Sequence, residues 1–267
     1  MAHGLTLMRV AVDVTTVWNS PTAPRPVDQP AVQDSPDPEL WLAALDADGL
    51  GSADGADDAD ERGKPDGRGR LGLHGRVDTQ ALAGEPAVVV SGDPDADWVQ
   101  VVLPWQPSTQ DPRGYPGWVR RAHLVRDDFS RPGRSPSPLG SPVPSVLSLA
   151  REHLGLPYLW GGLSPFGFDC SGLVHHVWRS LGVVVPRDAD DQHAAADPVA
   201  VGSEREGDLY FFARPGAGVH HVGIVVAPGH MVHASETGGR LTEEPLSPPR
   251  WATLYAVGRL PLPSVGQ

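Results

Sequence analysis

The segment Asp169-Cys170-Ser171-Gly172 contains the only cysteine of the chain and marks the start of a predicted helix. That helix is indicated by apolar residues that recur at the spacing of one helical face and by a stop at Gly182; the apolar residues are Leu173, Val174, Val177, Trp178 and Leu181. Cys170 is therefore expected in the first turn, where unpaired backbone N–H groups and the helix dipole favour the thiolate, the attacking form of cysteine. The alternative is a small buried apolar residue, as most free cysteines are.

Length and charge restrict the class of protein. The 267 residues suffice for two domains, each with its own core. The net charge of −12, from 33 acidic and 21 basic residues, argues against nucleic acid or an anionic membrane as the main partner. No stretch reaches the roughly 20 apolar residues of a membrane span, and residues 1–13 lack the pattern of a signal peptide. We expect a cytoplasmic protein, or an exported one if the true start lies upstream.

The first half of the chain has the pattern of a small antiparallel barrel. Residues 6–18 are rich in β-branched side chains and predict its first strand. Strand patterns return at 80–90, 97–103 and 117–120, separated by clusters of turn residues. We place this all-β domain at residues 6–127.

Other stretches of the first half have different compositions. Residues 38–45 predict a short helix. The stretch 46–70, rich in glycine and acidic residues, is expected to be a disordered insertion, and the proline- and serine-rich stretch 128–143 is expected to be an interdomain linker.

A second domain is predicted over residues 144–262. Helix patterns come first, and strands are expected at 208–212, 221–226, 231–234 and 254–260. Helices followed by strands favour an α+β fold over a doubly wound parallel sheet.

Two histidines of this domain are expected to meet. His221 and His233 lie on consecutive predicted strands, and a hairpin loop of three or five residues centred near Ala227 would place them directly opposite, with Cβ atoms about 5 Å apart. A two-residue loop would break this arrangement. His221 shares its strand face with Gly223, which leaves room, whereas His220 lies on the apolar face. His221 is therefore the better candidate for a base next to the cysteine.

Zinc binding is an alternative use of these side chains. The possible ligands are His220, His221, His230, His233 and Asp208. No His-x-x-x-His occurs on a helix, a second cysteine is missing, and adjacent histidines on a strand point to opposite faces. We therefore expect neither a metal nor another cofactor. The remaining histidine pair, His175 and His176, is expected on the outer surface of the cysteine helix.

The first domain contains a Gly-Glu pair and two short aromatic strands, which are Gly84-Glu85, Asp97-Trp98-Val99 and Gly117-Trp118-Val119. The same three features recur in the bacterial SH3 family, which this domain therefore resembles. The resemblance implies an SH3-like barrel, although such barrels share patterns without sharing partners.

Six segments of the second domain form a further pattern: Gly155-Leu156-Pro157-Tyr158-Leu159-Trp160-Gly161-Gly162, Phe168-Asp169-Cys170-Ser171-Gly172-Leu173-Val174, Pro186-Arg187, Gly207-Asp208-Leu209, His221-Val222-Gly223-Ile224-Val225 and His233-Ala234. In this order and spacing they closely resemble the NlpC/P60 family of cysteine peptidases. The resemblance implies a papain-like core in which Cys170 is the nucleophile, His221 the general base and acid, and His233 the polar residue that orients His221. Tyr158 matches a tyrosine near the active site of the family and is expected to support the oxyanion.

The second domain follows an SH3-type domain and contains Asp169-Cys170-Ser171 and Pro186-Arg187-Asp188-Ala189-Asp190-Asp191-Gln192. This combination is similar to the γ-D-glutamyl-L-diamino acid endopeptidases of cell-wall peptide recycling. The resemblance implies a short murein peptide as substrate, with the ammonium of its free N-terminal L-alanine bound near acidic groups. Substrate contacts are expected from Asp169, Ser171 and Asp188, and from Glu85 and Trp118 of the first domain.

Two other functions remain open from the sequence. One is a murein hydrolase that acts on intact cell wall after export, or an amidase with another acyl substrate. The other is a noncatalytic module that binds cell-wall peptides.

Overall fold

The computed structural model describes residues 6–49, 67–91, 96–126 and 144–262. The chain forms two compact units. The first takes in Met1–Trp105, Arg113–Gly133 and Leu159–Phe166, and the second takes in Gln106–Pro112, Arg134–Tyr158 and Gly167–Gln267. The linker predicted at 128–143 lies outside the described residues, and the domain boundaries stay a prediction.

The first unit is built on an antiparallel sheet that contains seven strands in the described residues. They are β1 (Thr6–Val10), β2 (Val14–Trp18), β3 (Val77–Leu82), β4 (Pro86–Ser91), β5 (Trp98–Leu103), β6 (Tyr115–Arg120) and β7 (Leu124–Arg126), in the spatial order β3-β2-β6-β5-β4-β1-β7. A two-residue strand, β8 (Leu163–Ser164), also belongs to this unit. The strands predicted for this half are present in the described residues, but helical segments lie among them, and an all-β, SH3-like barrel stays a prediction.

Two of the predicted strands are each divided in the structure. The single strand predicted over 6–18 is wrong, because β1 and β2 are separate and the backbone of Asp13 accepts a hydrogen bond from Ala83 at 3.0 Å. The strand predicted over 80–90 is interrupted by a turn at Gly84, whose φ of 81° is in the region that favours glycine. The Glu85 carboxylate accepts from the Leu82 N–H across this turn at 3.1 Å. Turn-forming residues inside both β-rich stretches indicated that the strands would be interrupted, and the prediction of continuous strands overlooked them.

The predicted short helix is confirmed and is longer than expected. Helix α2 (Pro38–Gly49) follows the single turn α1 (Gln29–Val32), and the indole of its buried Trp41 donates to Asp28 at 2.9 Å. The helix continues into the stretch predicted as a disordered insertion, where Asp46 pairs with Arg70 at 2.6 Å. Residues 50–66 of that stretch lie outside the described residues.

The second unit packs helices against an antiparallel sheet with six strands in the described residues. Its elements are α3 (Val146–Arg151), β9 (Gly167–Phe168), α4 (Cys170–Ser180), α5 (Ala189–Ala195), β10 (Asp197–Val199), β11 (Leu209–Ala213), β12 (Val219–Ala227), β13 (His230–Ser235), β14 (Arg240–Pro245), α6 (Pro248–Thr253) and β15 (Leu254–Arg259). The spatial order of the sheet is β10-β15-β11-β12-β13-β14. The predicted α+β fold is confirmed.

Helix α4 begins and ends as the sequence predicted. The Asp169 carboxylate caps it by accepting from the Gly172 N–H at 2.6 Å. At the other end Gly182 has a φ of 81°, and the N–H of Val183 reaches back to the Trp178 carbonyl at 2.9 Å. Because β12, β13, α3 and α5 all pack on this helix, it has no outer surface at His175. The expectation that His175 is exposed is wrong: its ring is fully buried, and Nδ1 lies 2.8 Å from the Val185 carbonyl.

None of the helices in the described residues is long and apolar enough to cross a membrane.

Candidate active site

Cys170 occupies the first turn of α4, as predicted, and is buried with 8 % of its surface exposed. Burial raises the pKa of its thiol to about 12, and the neighbouring Asp169 carboxylate acts in the same direction. The backbone N–H groups of Val222 and Ser171 lower the pKa, which places the sulfur against the start of α4 and the middle of β12. Burial thus opposes the thiolate that the helix position favours, so a nearby base is needed to accept the thiol proton.

His221 and His233 form the expected pair, but through a different hairpin. The structure pairs Ala227 with His230, so the loop contains only Pro228 and Gly229. An irregularity between Val225 and Ala227 inserts one extra residue into β12, and Ile224 then pairs with Val232.

This register places Gly223 across from His233 and makes His221 the diagonal neighbour of His233 on the same face. The prediction that the two histidines are directly opposite is therefore wrong, although both rings still meet. His221 Nε2 lies 2.8 Å from His233 Nδ1, and the ring planes are nearly perpendicular at 84°. Gly223 lies beside both rings, and a Cβ there would come within 3.3 Å of the His233 Cβ.

The pair extends to Glu244, a residue that the sequence analysis missed. His233 Nε2 lies 3.0 Å from a Glu244 carboxylate oxygen, and the Glu244 side chain is 44 % exposed. Glu244 belongs to β14, whose sequence, Arg-Leu-Thr-Glu-Glu-Pro, has little apolar alternation because the strand lies at the sheet edge. The turn residues at 236–239 separate two short stretches of mixed polar and apolar residues. They indicated that a further strand could follow the turn.

Burial keeps both histidines neutral at neutral pH. It lowers the pKa of His221 well below the ordinary value, with a further contribution from His233. Burial also lowers the pKa of His233 to about 4, against the opposing effect of the hydrogen bond with Glu244. The contact between His233 and Glu244 is therefore a hydrogen bond of a neutral imidazole at pH 7 and not an ion pair.

The residues that flank Cys170 are held by a buried arginine. Arg187 is 1 % exposed and donates two parallel hydrogen bonds to the Asp169 carboxylate, at 2.7 Å and 3.0 Å. Arg187 also donates to the Ser171 hydroxyl at 3.0 Å, and the Gln192 amide donates to the Ser171 carbonyl at 2.9 Å. Asp169 and Ser171 thus have protein partners already, and their role as substrate contacts stays a prediction.

Tyr158 lies in the same unit as Cys170, within electrostatic reach of it. Burial raises the pKa of the phenol well above its ordinary value, and the negative charge of an ionised Cys170 is the next cause. The phenol therefore keeps its proton and can donate a hydrogen bond to the oxyanion that forms on a carbonyl oxygen when the sulfur attacks the carbonyl carbon.

Asp188 is at the start of α5 and belongs to an acidic cluster. The carboxylates of Asp188, Asp190 and Asp191 offer oxygens that lie within 4.8 Å of one another. One Asp191 oxygen accepts from the Thr109 N–H at 2.9 Å, a contact inside the second unit. Such a cluster can attract an ammonium group. In the described part of the chain, no group of three possible metal ligands includes a histidine.

Glu85 and Trp118, the other expected substrate contacts, belong to the first unit. Glu85 is fully buried in the turn that ends β3. Trp118 is half-buried on β6, where it pairs across the sheet with Trp18. Their role in substrate binding stays a prediction.

Comparisons with known proteins agree with this geometry. Residues 155–259 match the model of the NlpC/P60 family. The chain is 32 % identical, over 84 % of its length and 88 % of the relative's, to the γ-D-glutamyl-L-lysine dipeptidyl-peptidase of Bacillus subtilis (strain 168). It is 27 % identical to the protein of the same name from Bacillus cereus (strain ATCC 10987), over 95 % of this chain and 90 % of that one.

Among solved structures, the chain resembles the crystal structure of an NlpC/P60 family protein from Bacillus cereus ATCC 10987. The TM-score is 0.78 at 25 % sequence identity, with 96 % of this chain and 100 % of that chain covered. The relationship therefore extends over both units and includes the region of the cysteine and the two histidines. On the family match and this nearly full-length relationship, the chain belongs to the NlpC/P60 family of cysteine peptidases.

Proposed function

We propose that this protein is a cysteine endopeptidase that hydrolyses the amide between the γ-carboxyl of D-glutamate and a diamino acid in short murein peptides with a free N-terminal L-alanine. The observation that carries the proposal is that the buried Cys170 sulfur lies against the backbone of Val222, the residue after His221, and that His221 contacts His233. The two nearly full-length relatives named for γ-D-glutamyl-L-lysine cleavage support the choice of substrate.

Burial favours the uncharged forms of both Cys170 and His221, so the proposed reaction begins from a neutral pair. As the sulfur bonds to the γ-carbonyl carbon, the thiol proton passes to His221, which becomes an imidazolium. His221 then gives that proton to the leaving amine when the C–N bond breaks, and a thioester remains on Cys170. Water that loses a proton to His221 then attacks the thioester carbon, the C–S bond breaks to release the acyl group as a carboxylic acid, and His221 returns the proton to the Cys170 sulfur.

The transition state carries negative charge on the carbonyl oxygen. The Cys170 backbone N–H at the start of α4 and the Tyr158 phenol are the proposed donors to this oxygen. The acidic residues around Asp188 are the proposed partners of the substrate ammonium, because several carboxylates within 4.8 Å of one another favour a cation.

The test is hydrolysis of L-Ala-γ-D-Glu-L-Lys and of the corresponding diaminopimelate peptide by the purified protein. The expected products are L-Ala-D-Glu and the free diamino acid. Cys170→Ala should lower kcat/KM by more than about 10³-fold, because no other thiol exists in the chain. Full activity in Cys170→Ala, or activity lost only on chelation, would contradict a thiol mechanism.

A matched peptide with an acetylated N-terminus tests the free-amine requirement. Acetylation removes the charge that the acidic cluster would bind, so the blocked peptide should be a poor substrate. Equal cleavage of the blocked peptide, or preference for intact sacculi, would favour a hydrolase of the intact wall. Stoichiometric binding without turnover would indicate a binding module.

A further inference from the structure

Glu244 lies behind the histidine pair, on the side away from β12. His233 pairs with Thr242 across β13 and β14, so Glu244, two residues further along, shares the strand face of His233. Its carboxylate oxygen is 3.0 Å from His233 Nε2. The adjacent Glu243 lies on the other face and binds Arg151 at 2.8 Å.

We propose that Glu244 is a positioning residue that sets the tautomers of both histidines and thereby leaves the free lone pair of His221 on Nδ1, available to Cys170. The inference rests on the proposed function for the roles of Cys170 and His221.

The tautomers follow when the donor and acceptor of each hydrogen bond are assigned in order, beginning at Glu244. A carboxylate only accepts hydrogen bonds, so the proton of neutral His233 must be on Nε2, where it is donated to Glu244. His233 Nδ1 is then bare and can only accept, so His221 must donate to it from Nε2 at 2.8 Å. Neutral His221 has one ring proton, and its Nδ1 is therefore unprotonated. Without Glu244 both histidines can exchange donor and acceptor roles, and the alternative arrangement puts a proton on the nitrogen that serves as base.

The same chain of contacts supports His221 once it is charged. When the Cys170 proton arrives on His221 Nδ1, the imidazolium keeps its Nε2–H bond to His233, and His233 keeps its own bond to Glu244. Arg250 opposes this charge, since it lowers the pKa of both histidines. The Glu244 carboxylate is the negatively charged group at the end of this series of hydrogen bonds. Because Glu244 is 44 % exposed, solvent screens its charge, and its hydrogen-bonding role is the larger part of its effect.

The first experiment compares variants of the two adjacent glutamates in steady-state kinetics with L-Ala-γ-D-Glu-L-Lys. Glu244→Ala should lower kcat by about tenfold, at the lower end of what such outer partners contribute, with little change in KM. Glu244→Gln should lie between wild type and Glu244→Ala, because its amide oxygen can still accept from His233 Nε2. Glu243→Ala, on the opposite face, should keep wild-type kcat and KM.

The second experiment reads the tautomers directly, by ¹⁵N NMR of the full chain labelled at histidine nitrogens. His221→Gln and His233→Gln assign the two signals. In wild type both rings should show the Nε2–H form, and Glu244→Ala should shift both towards a mixture with the Nδ1–H form. Glu243→Ala should leave both unchanged.

The two experiments separate this inference from the proposed function. If wild type cleaves no γ-D-glutamyl peptide, the proposed function fails and the NMR comparison still tests Glu244. If Glu244→Ala retains wild-type kcat and wild-type ¹⁵N shifts, the positioning role is overturned while the peptidase assignment stands. Wild-type rings in the Nδ1–H form would overturn it as well. Glu244→Gln, which is nearly isosteric, keeps the kinetic test valid if the alanine variant unfolds.

Discussion

At the residue scale, the contact between His221 and His233 runs diagonally across two strands, because β12 contains one extra residue. Cys170, His221 and His233 were found from helix position and strand phase, both of which depend on local periodicity. Their pairing geometry depends on a bulge at residue 226, and nothing local specifies that β12 inserts a residue there. Glu244 was missed for a related reason, because an edge strand needs no apolar alternation and so leaves a weak pattern.

Gly223 provides a test of that register. A Cβ at this position would lie 2.5 Å from the Met231 sulfur and 3.3 Å from the His233 Cβ. We expect Gly223→Ala to lower the free energy of unfolding by about 1–3 kcal/mol through overpacking, and to lower kcat by displacing His233. Adding Met231→Val removes the sulfur, so it should recover part of the stability but not the kcat. Stability is measured by chemical denaturation and kcat by peptide hydrolysis. Full recovery of kcat in the double variant would show that the loss came from the clash with Met231 and not from displacement of His233.

At the scale of elements, the start of α4 is the part of the site that local sequence specifies most fully. The sequence predicted the start of the helix from the Asp-Cys-Ser-Gly segment, and the structure shows that Asp169 caps it. The partner of the cap is Arg187, eighteen residues after Asp169, and it reaches the carboxylate only through the tertiary fold. In the sequence, Pro186-Arg187 was recognised only as a motif. The structure shows the physical role of Arg187, which is to bind the Asp169 carboxylate.

Arg187 should therefore be more important for stability than the surface arginines. Arg187→Met leaves the nearly buried Asp169 carboxylate without its cation, and we expect a loss of about 3 kcal/mol in the free energy of unfolding. Arg187→Lys should lose less, because a lysine keeps the charge but cannot make the two parallel hydrogen bonds. Arg151→Met, which breaks the exposed pair with Glu243, is the matched control and should change little. Similar losses in Arg187→Met and Arg151→Met, measured by urea denaturation, would argue against a structural role for the buried pair.

At the scale of the whole molecule, element order predicted the α+β class of the second unit and the strand-rich character of the first. Both follow from where strand and helix patterns occur along the chain, whereas the SH3-like barrel stays a prediction. The burial of the histidines could not be predicted from these patterns, because burial depends on how the elements of the unit pack together. His175 shows this: a polar residue on a helix was expected to face solvent, but sheet and helices enclose α4 on several sides.

Burial of neutral histidines makes the second unit sensitive to acid. The pKa of His175 is lowered from 6.5 to about 3, chiefly by burial, so the folded unit stays unprotonated at this ring where the unfolded chain takes up a proton. The stabilisation is fully present above pH 6.5 and is lost as the pH falls towards 3, at about 1.4 kcal/mol per pH unit for one such ring. In His175→Gln the amide can still donate to Val185, but it does not titrate. We expect this variant to be less stable than wild type at pH 7, because the packing changes, and the difference to shrink by that slope between pH 6 and pH 4.5. Hydrogen exchange of the α4 amides measures the opening of this unit alone. A difference that stays constant over this range would mean that His175 is protonated in the folded unit or hydrated there, and that its burial contributes nothing to the acid sensitivity.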